Sequence, residues 1–285
     1  MSGTALVMGT NSSVMASMQR AETGAPAWVD LHTTAGTADA ARFYCTLFGW
    51  TVVARHRPID EDAGYWVFQH GDVAVGGLAT DADASWTMYV RVADVRATAL
   101  AVAARGGTVV AAPVRTLDGG RLALCADPEG ARFAVWESPE GEDETDPGRA
   151  VAVSSPSAPG YQLLCRDAGA AAEFYGAVLG WDTEVVPCAE GARCARFLHP
   201  DTGRVVGMAV EAGPDAGTAT RPGTPGRLAA RWTVHLTVTD TDEAVARAAE
   251  LGATVSVAPF NLPDVGRVAI LDDPDHATFS IVQAA

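Results

Sequence analysis

The chain has 285 residues, 48% of them hydrophobic and 19% charged, which is the composition of folded cores and not of a disordered chain. Its formal net charge is -15, with no Lys/Arg-rich run, so phosphate backbones and anionic membranes are repelled while a cationic small molecule is drawn in. Nucleic acid and lipid are thereby set aside as partners, and the length suits two domains, each able to bury its own core.

Residues 1–25 read as a flexible tail, without the basic and apolar regions of a secretory signal. No apolar run approaches the ~18 residues of a membrane span. Ala27 to Thr33 is expected as a strand, followed by a helix from Thr37 to Phe48. Ala40, Phe43, Tyr44, Leu47 and Phe48 form one apolar stripe on that helix, and Gly49 ends it. Trp50 to Arg55, Tyr65 to Gln69 and Val73 to Leu78 read as strands, giving β-α-β-β-β. The order then restarts. Thr87 to Val92 is a strand, Asp94 a helix N-cap, and Val95, Ala99, Val102 and Ala103 one helix face closed by Gly106-Gly107. Val109-Val110, Arg121 to Ala126 and Arg132 to Glu137 complete a second unit. In its last hairpin, Asp127-Pro128-Glu129-Gly130 is turn chemistry, with proline presetting φ and glycine accepting φ > 0.

Ser138 to Pro159 is rich in acid, Pro, Gly and Ser and reads as a linker. Beyond it the plan repeats. Phe174-Tyr175…Gly180-Trp181 echoes Phe43-Tyr44…Gly49-Trp50, and Asp273-Pro274-Asp275-His276 echoes the Asp127 turn with His276 in place of glycine. Extra residues must lie between these landmarks, and Gly213 to Arg227 is the Gly/Pro/Thr-rich stretch that fits. Five cysteines include no C-x-x-C pair and several sit in apolar runs. They point to a reducing, cytoplasmic setting, with no role for the Cys188/Cys194 pair.

Four β-α-β-β-β units in series, with the F-Y-x-x-x-x-G-W helix end and the D-P-x-G hairpin, resemble the vicinal oxygen chelate superfamily. That group includes glyoxalases, bleomycin-resistance proteins and extradiol dioxygenases. The likeness covers nearly everything from residue 27 to 285 and is nearest to fused two-module glyoxalase-like proteins of actinobacteria. It implies an α+β fold with two tandem modules, 26–138 and 159–285, joined by a linker at 139–158. Each module is then a pair of βαβββ units forming a cupped mixed sheet with helices outside.

Superfamily members that do chemistry hold a divalent metal with His from a unit's first strand and Glu from its last. At the first-strand positions this chain has Trp28 (or Val29), Thr87, Gly160 (or Tyr161) and Thr233. At the last-strand positions it has Ala134 and Ser280. No His/His/Glu set is recovered, so neither a metal nor another cofactor is expected.

Strand alternation gives the rest of the cup face. If Trp28 points inward, so do Asp30 and His32. Thr87 brings in Tyr89 and Arg91, Ala134 brings in Arg132 and Trp136, and Thr233 brings in His235 and Thr237. The first cup is expected to be lined by Trp28, Asp30, His32, Tyr89 and Trp136, with Trp86 near its rim. Tyr161, Trp232 and His235 are the candidates in the second. Aromatic walls with a few polar groups suit a planar, partly polar ligand.

The resemblance then implies a protein that binds a small planar aromatic natural product, cationic in one version, for sequestration or as an accessory of a biosynthetic oxidation. A pathway oxidase is a candidate partner, and monomer and homodimer both remain open. The alternative is a metal-independent isomerase, cyclase, hydratase or cofactorless oxygenase with Asp30 and His32, or His235, as acid and base. Asp30 and His32 lie on one strand, about 6–7 Å apart. A metal-dependent glyoxalase or dioxygenase ranks last, because its donors are missing.

Overall fold

A computed structural model describes residues 22–54, 64–116, 119–139, 160–187, 193–211, 230–262 and 265–284. Residues 1–21 of the expected tail, most of the linker, Cys188 and the Gly213–Arg227 insertion lie outside the described residues, while residues 22–25 are held in place, with Gly24 and Ala25 bonded to Arg91. The first module runs β1 (Pro26–Thr33), α1 (Thr37–Phe48), β2 (Thr51–Ala54), β3 (Trp66–His70) and β4 (Val73–Thr80). Its second unit is β5 (Ser85–Arg91), α2 (Val95–Ala104), β6 (Thr108–Arg115), β7 (Arg121–Ala126) and β8 (Arg132–Glu137). The second module repeats this as β9 (Tyr161–Cys165), α3 (Ala168–Leu179), β10 (Asp182–Pro187), β11 (Arg193–Leu198) and β12 (Val205–Glu211). It ends with β13 (Arg231–Thr237), α4 (Thr241–Glu250), β14 (Thr254–Leu262), β15 (Gly266–Asp272) and β16 (Thr278–Ala284).

Each module closes its own eight-stranded mixed sheet, in the orders β2-β3-β4-β1-β5-β8-β7-β6 and β10-β11-β12-β9-β13-β16-β15-β14. Each cup therefore forms within a module and not between modules. In both sheets the two units meet through antiparallel first strands, β1 with β5 and β9 with β13. Each first strand also pairs in parallel with the last strand of its own unit, as β5 does with β8 and β13 with β16.

The helices begin and end where local chemistry allows. Asp94, Asp167 and Asp240 cap α2, α3 and α4 by accepting from backbone N–H groups. Gly49 and Gly180 end α1 and α3 at φ 69° and 73°, a left-handed conformation that costs glycine little.

All four helices lie on one face of their sheets, and those two faces are turned toward each other. Strands β5 and β13 meet at the centre, α1 meets α4, and α2 meets α3. One apolar core consequently runs through both modules. The repeated motifs converge on this seam. Asp127 Oδ1 accepts from the N–H groups of Glu129 and Ala131, which folds the hairpin, while its Oδ2 accepts from Tyr175 of the other module (3.1 Å). Asp273 does the same with Asp275, Ala277 and, across the seam, Tyr44 (3.0 Å). Each tyrosine hydroxyl also accepts from an indole, Trp86 Nε1 to Tyr44 (3.0 Å) and Trp232 Nε1 to Tyr175 (2.8 Å). Phe43 and Phe174 stand edge-on to these tyrosines, with Phe279 and Phe133 packed from the opposite modules. His276 holds φ 69° at the turn position where Gly130 holds 97°.

Candidate ligand-binding cup

The faces turned away from the helices are the two cups. In module one β1 places Trp28, Asp30 and His32 on that face, across from Tyr89, Thr87 and Ser85 of β5. Trp28 and Trp136 are 0% exposed, and Asp30, Tyr65 and Tyr89 are buried beside them. Trp28 Nε1 donates to Asp30 Oδ1 (2.8 Å) and to Tyr65 Oη (2.9 Å), and the Tyr65 hydroxyl donates to the same Asp30 oxygen (2.7 Å). Tyr89 also stands against Asp30, and burial together with that carboxylate pushes its phenol well above the ordinary value. Gly77 is part of this arrangement, since a Cβ there would stand 2.0 Å from Asp30 Oδ1 and 2.1 Å from Tyr65 Oη. The rings expected to wall an open cup instead fill it. Trp136 Nε1 has no partner among the described residues and points toward Gly120 at the β6–β7 turn.

Several other expectations change. Trp86 is not at the rim of the first cup and Trp232 is not in the second, because both indoles are committed to tyrosines in the seam on the helix side. Tyr161 alternates with Gln162 and so shares the helix-side face of β9 with Leu163 and Cys165. Asp30 does not hold His32. Its carboxylate is engaged by Trp28 and Tyr65, and His32 Nδ1 instead lies 3.5 Å from Asp81 Oδ2. Cys45, Cys125 and Cys165 are free thiols, but Cys194 is disulfide-bonded, a departure from the expectation of a chain without disulfides.

Module two keeps the backbone and changes the contents. Strand register makes Gly160 the counterpart of Trp28, Gln162 of Asp30, His235 of Tyr89 and Val282 of Trp136, while Cys194 stands where module one has Tyr65. Four large rings are thus replaced by smaller groups. Exposure follows: Gln162, Leu164, Met208, Ile270 and Asp272 are partly exposed, where their counterparts Asp30, His32, Gly77, Leu124 and Ala126 are buried. On the floor, His235 Nε2–H donates to Gln162 Oε1 (3.0 Å), and Ser280 stands beside His235 in the parallel ladder. Ser280 is 0% exposed, and its hydroxyl has no partner among the described residues. Arg231 lies on the same face of β13 as Thr233 and His235, since Trp232 between them faces the seam. Alternation from Thr233 could have found Arg231. Nothing in the sequence showed that Ser280 would be left without a partner.

A cleft of about 410 Å³ also opens at the seam between α1 and the β15–β16 turn. Its polar groups are already paired, Asp39 with Arg42 and Asp275 with Thr33 and Thr34.

The divalent metal of this fold does not fit either cup. In module one the Asp30 carboxylate is engaged by neutral donors and Thr87 and Ala134 stand beside it. In module two one imidazole faces an amide and hydroxyls, too few nitrogen and anionic oxygen donors for a borderline metal. Among the described residues no three His, Cys, Asp or Glu side chains are grouped to hold a metal ion.

Known proteins share both the architecture and the sequence. Two solved structures cover 92% of this chain at TM-score 0.57 and 15% identity. They are BphC, a halotolerant catechol dioxygenase (87% of its chain), and the Mn(II)-bound glyoxalase from Novosphingobium aromaticivorans (82%). At that identity the likeness shows the fold. Anthracycline biosynthesis protein DauV of Streptomyces sp. (strain C5) is 34% identical, over 93% of this chain and 95% of its own. The putative glyoxylase CFP32 of Mycobacterium tuberculosis is 30% identical over 92% and 95%. The glyoxalase-like domain model matches residues 27–136 and 162–282. With one match per module and relatives that align over nearly their whole length, the chain belongs to the glyoxalase-like family of the vicinal oxygen chelate superfamily.

Proposed function

We propose that this protein is a metal-independent binding protein for a planar aromatic natural product of the anthracycline kind, held in the cup of module two. It serves as an accessory of that compound's biosynthesis, and module one is its scaffold. The replacement of Trp28, Tyr65, Tyr89 and Trp136 by Gly160, Cys194, His235 and Val282 carries this reading, because it removes from module two the rings that fill the module-one cup and leaves more of its cup face partly exposed. The relatives named for anthracycline biosynthesis support the ligand class.

Titration calorimetry with a soluble dihydroxyanthraquinone tests it. The expected result is one equivalent bound per chain, a raised melting temperature and unchanged ligand after prolonged incubation. No binding, or two equivalent sites, contradicts the reading. Conversion of the ligand with a bell-shaped pH profile that His235→Ala abolishes would favour the enzymatic alternative. That alternative now rests on His235, since Asp30 and His32 have separate partners.

A further inference from the structure

The polar groups of the module-two cup are laid out along one strand. Arg231, Thr233 and His235 share a face of β13 at two-residue steps, so the outer two stand about 13 Å apart along it. That span is longer than one ring and matches three or four fused ones. The two ends differ chemically. At the His235 end lies the Ser280 hydroxyl, buried and without a partner among the described residues. At the other end Arg231 is partly buried, its Nε buried without a hydrogen-bond partner, and no ion pair holds it among the described residues. Its nearest acidic influence, Asp272, is occupied elsewhere: Ser256 Oγ and Thr278 Oγ1 each donate to one of its carboxylate oxygens (2.5 Å). Burial lowers the Arg231 pKa, and Asp272 opposes this only as the second influence. At the matching module-one positions stand Ser85, Ala126 and Ala134, which hold no charge.

Buried polar groups in folded proteins are nearly always satisfied, so a bare guanidinium Nε and a bare hydroxyl on one cup face call for an acceptor that the described residues do not supply. We propose that the module-two cup takes its ligand lengthwise along β13, with an acidic oxygen on the Arg231 guanidinium and a neutral carbonyl or hydroxyl oxygen at the His235–Ser280 end. The acidic group is a carboxylate or the phenolate of a hydroxyquinone, and the proposal rests on the binding reading given above. It reverses the expectation from net charge, since the acidic surface favours cations while the cup itself presents a cation.

Two probes of one shape test it, 1,8-dihydroxyanthraquinone-3-carboxylate and its uncharged 3-hydroxymethyl analogue, by calorimetry on the full chain. The carboxylate is expected to bind about tenfold or more tightly, as a charge-assisted hydrogen bond allows. In Arg231→Met that preference falls to about twofold or less while the analogue keeps its affinity. Arg231→Lys, which keeps the charge and loses the planar fork, retains part of the preference. Methionine removes a desolvated group and keeps the apolar stem, so the variant is expected to melt no lower than the parent. Equal affinities for the two probes in the parent protein overturn this inference and leave the binding reading standing. A preference that survives Arg231→Met also overturns it. Failure of both probes to bind overturns both.

Discussion

Asp30 is the residue on which module one's cup closes. Its carboxylate accepts from Trp28 and Tyr65 in a buried site, with the Tyr89 phenol against it. Asp30→Ala is expected to destabilise the protein by about 2–4 kcal/mol in urea unfolding, since it orphans buried donors, and a loss under 0.5 kcal/mol would contradict this account. Gly77→Ala attacks the same point from outside and is expected to cost about 1–3 kcal/mol through overpacking. Alternation placed Trp28, Asp30 and His32 on one face correctly. It could not supply their partners, because Tyr65 and Asp81 arrive from other segments and the choice between them is tertiary.

At the scale of elements, the D-P-x-G hairpin and the F-Y helix end were legible as motifs, while their use was not. They look like parts of a site and are instead the two halves of a dovetail. Each hairpin carboxylate receives a tyrosine from the other module, and each tyrosine receives a tryptophan. Tyr44→Phe and Tyr175→Phe each leave an indole N–H and a carboxylate oxygen without a partner, so each is expected to cost about 1–3 kcal/mol. Neither is expected to alter ligand affinity.

The same latch has a pH signature. Burial holds the Asp127 and Asp273 carboxyls above their ordinary value of 3.8, against the hydrogen bonds that lower them. The folded state therefore binds these protons more tightly than the unfolded chain. Their stabilising contribution is full below the unfolded value and is lost as pH rises through the raised folded one. Urea unfolding at a series of pH values from about 4 upward is expected to show less loss of stability in Asp127→Asn/Asp273→Asn than in the parent. Parallel curves would contradict the assignment.

For the whole molecule, the repeat, the two tandem modules and the mixed sheets could be read from the sequence, because periodicity and turn chemistry are local. That the module-one cup is filled could not. Trp28 and Trp136 at cup positions mean either a wall or a filling, and the difference lies in whether the rings stay exposed or are buried, as both are. The shared core makes a further prediction. With helix-bearing faces joined and hairpins exchanged, calorimetry is expected to give one cooperative transition with equal calorimetric and van't Hoff enthalpies. Two separate transitions would show that the seam contributes little.

The account as a whole turns on the difference between two cups built on one backbone. A crystal of the full chain soaked with 1,8-dihydroxyanthraquinone-3-carboxylate measures that difference directly. Ligand density lying along β13, beside Arg231 and reaching Ser280, is the result expected, with Trp28 and Trp136 still packed against their neighbours. Density stacked on Trp28 or Trp136 in module one, with the module-two cup empty, would contradict it.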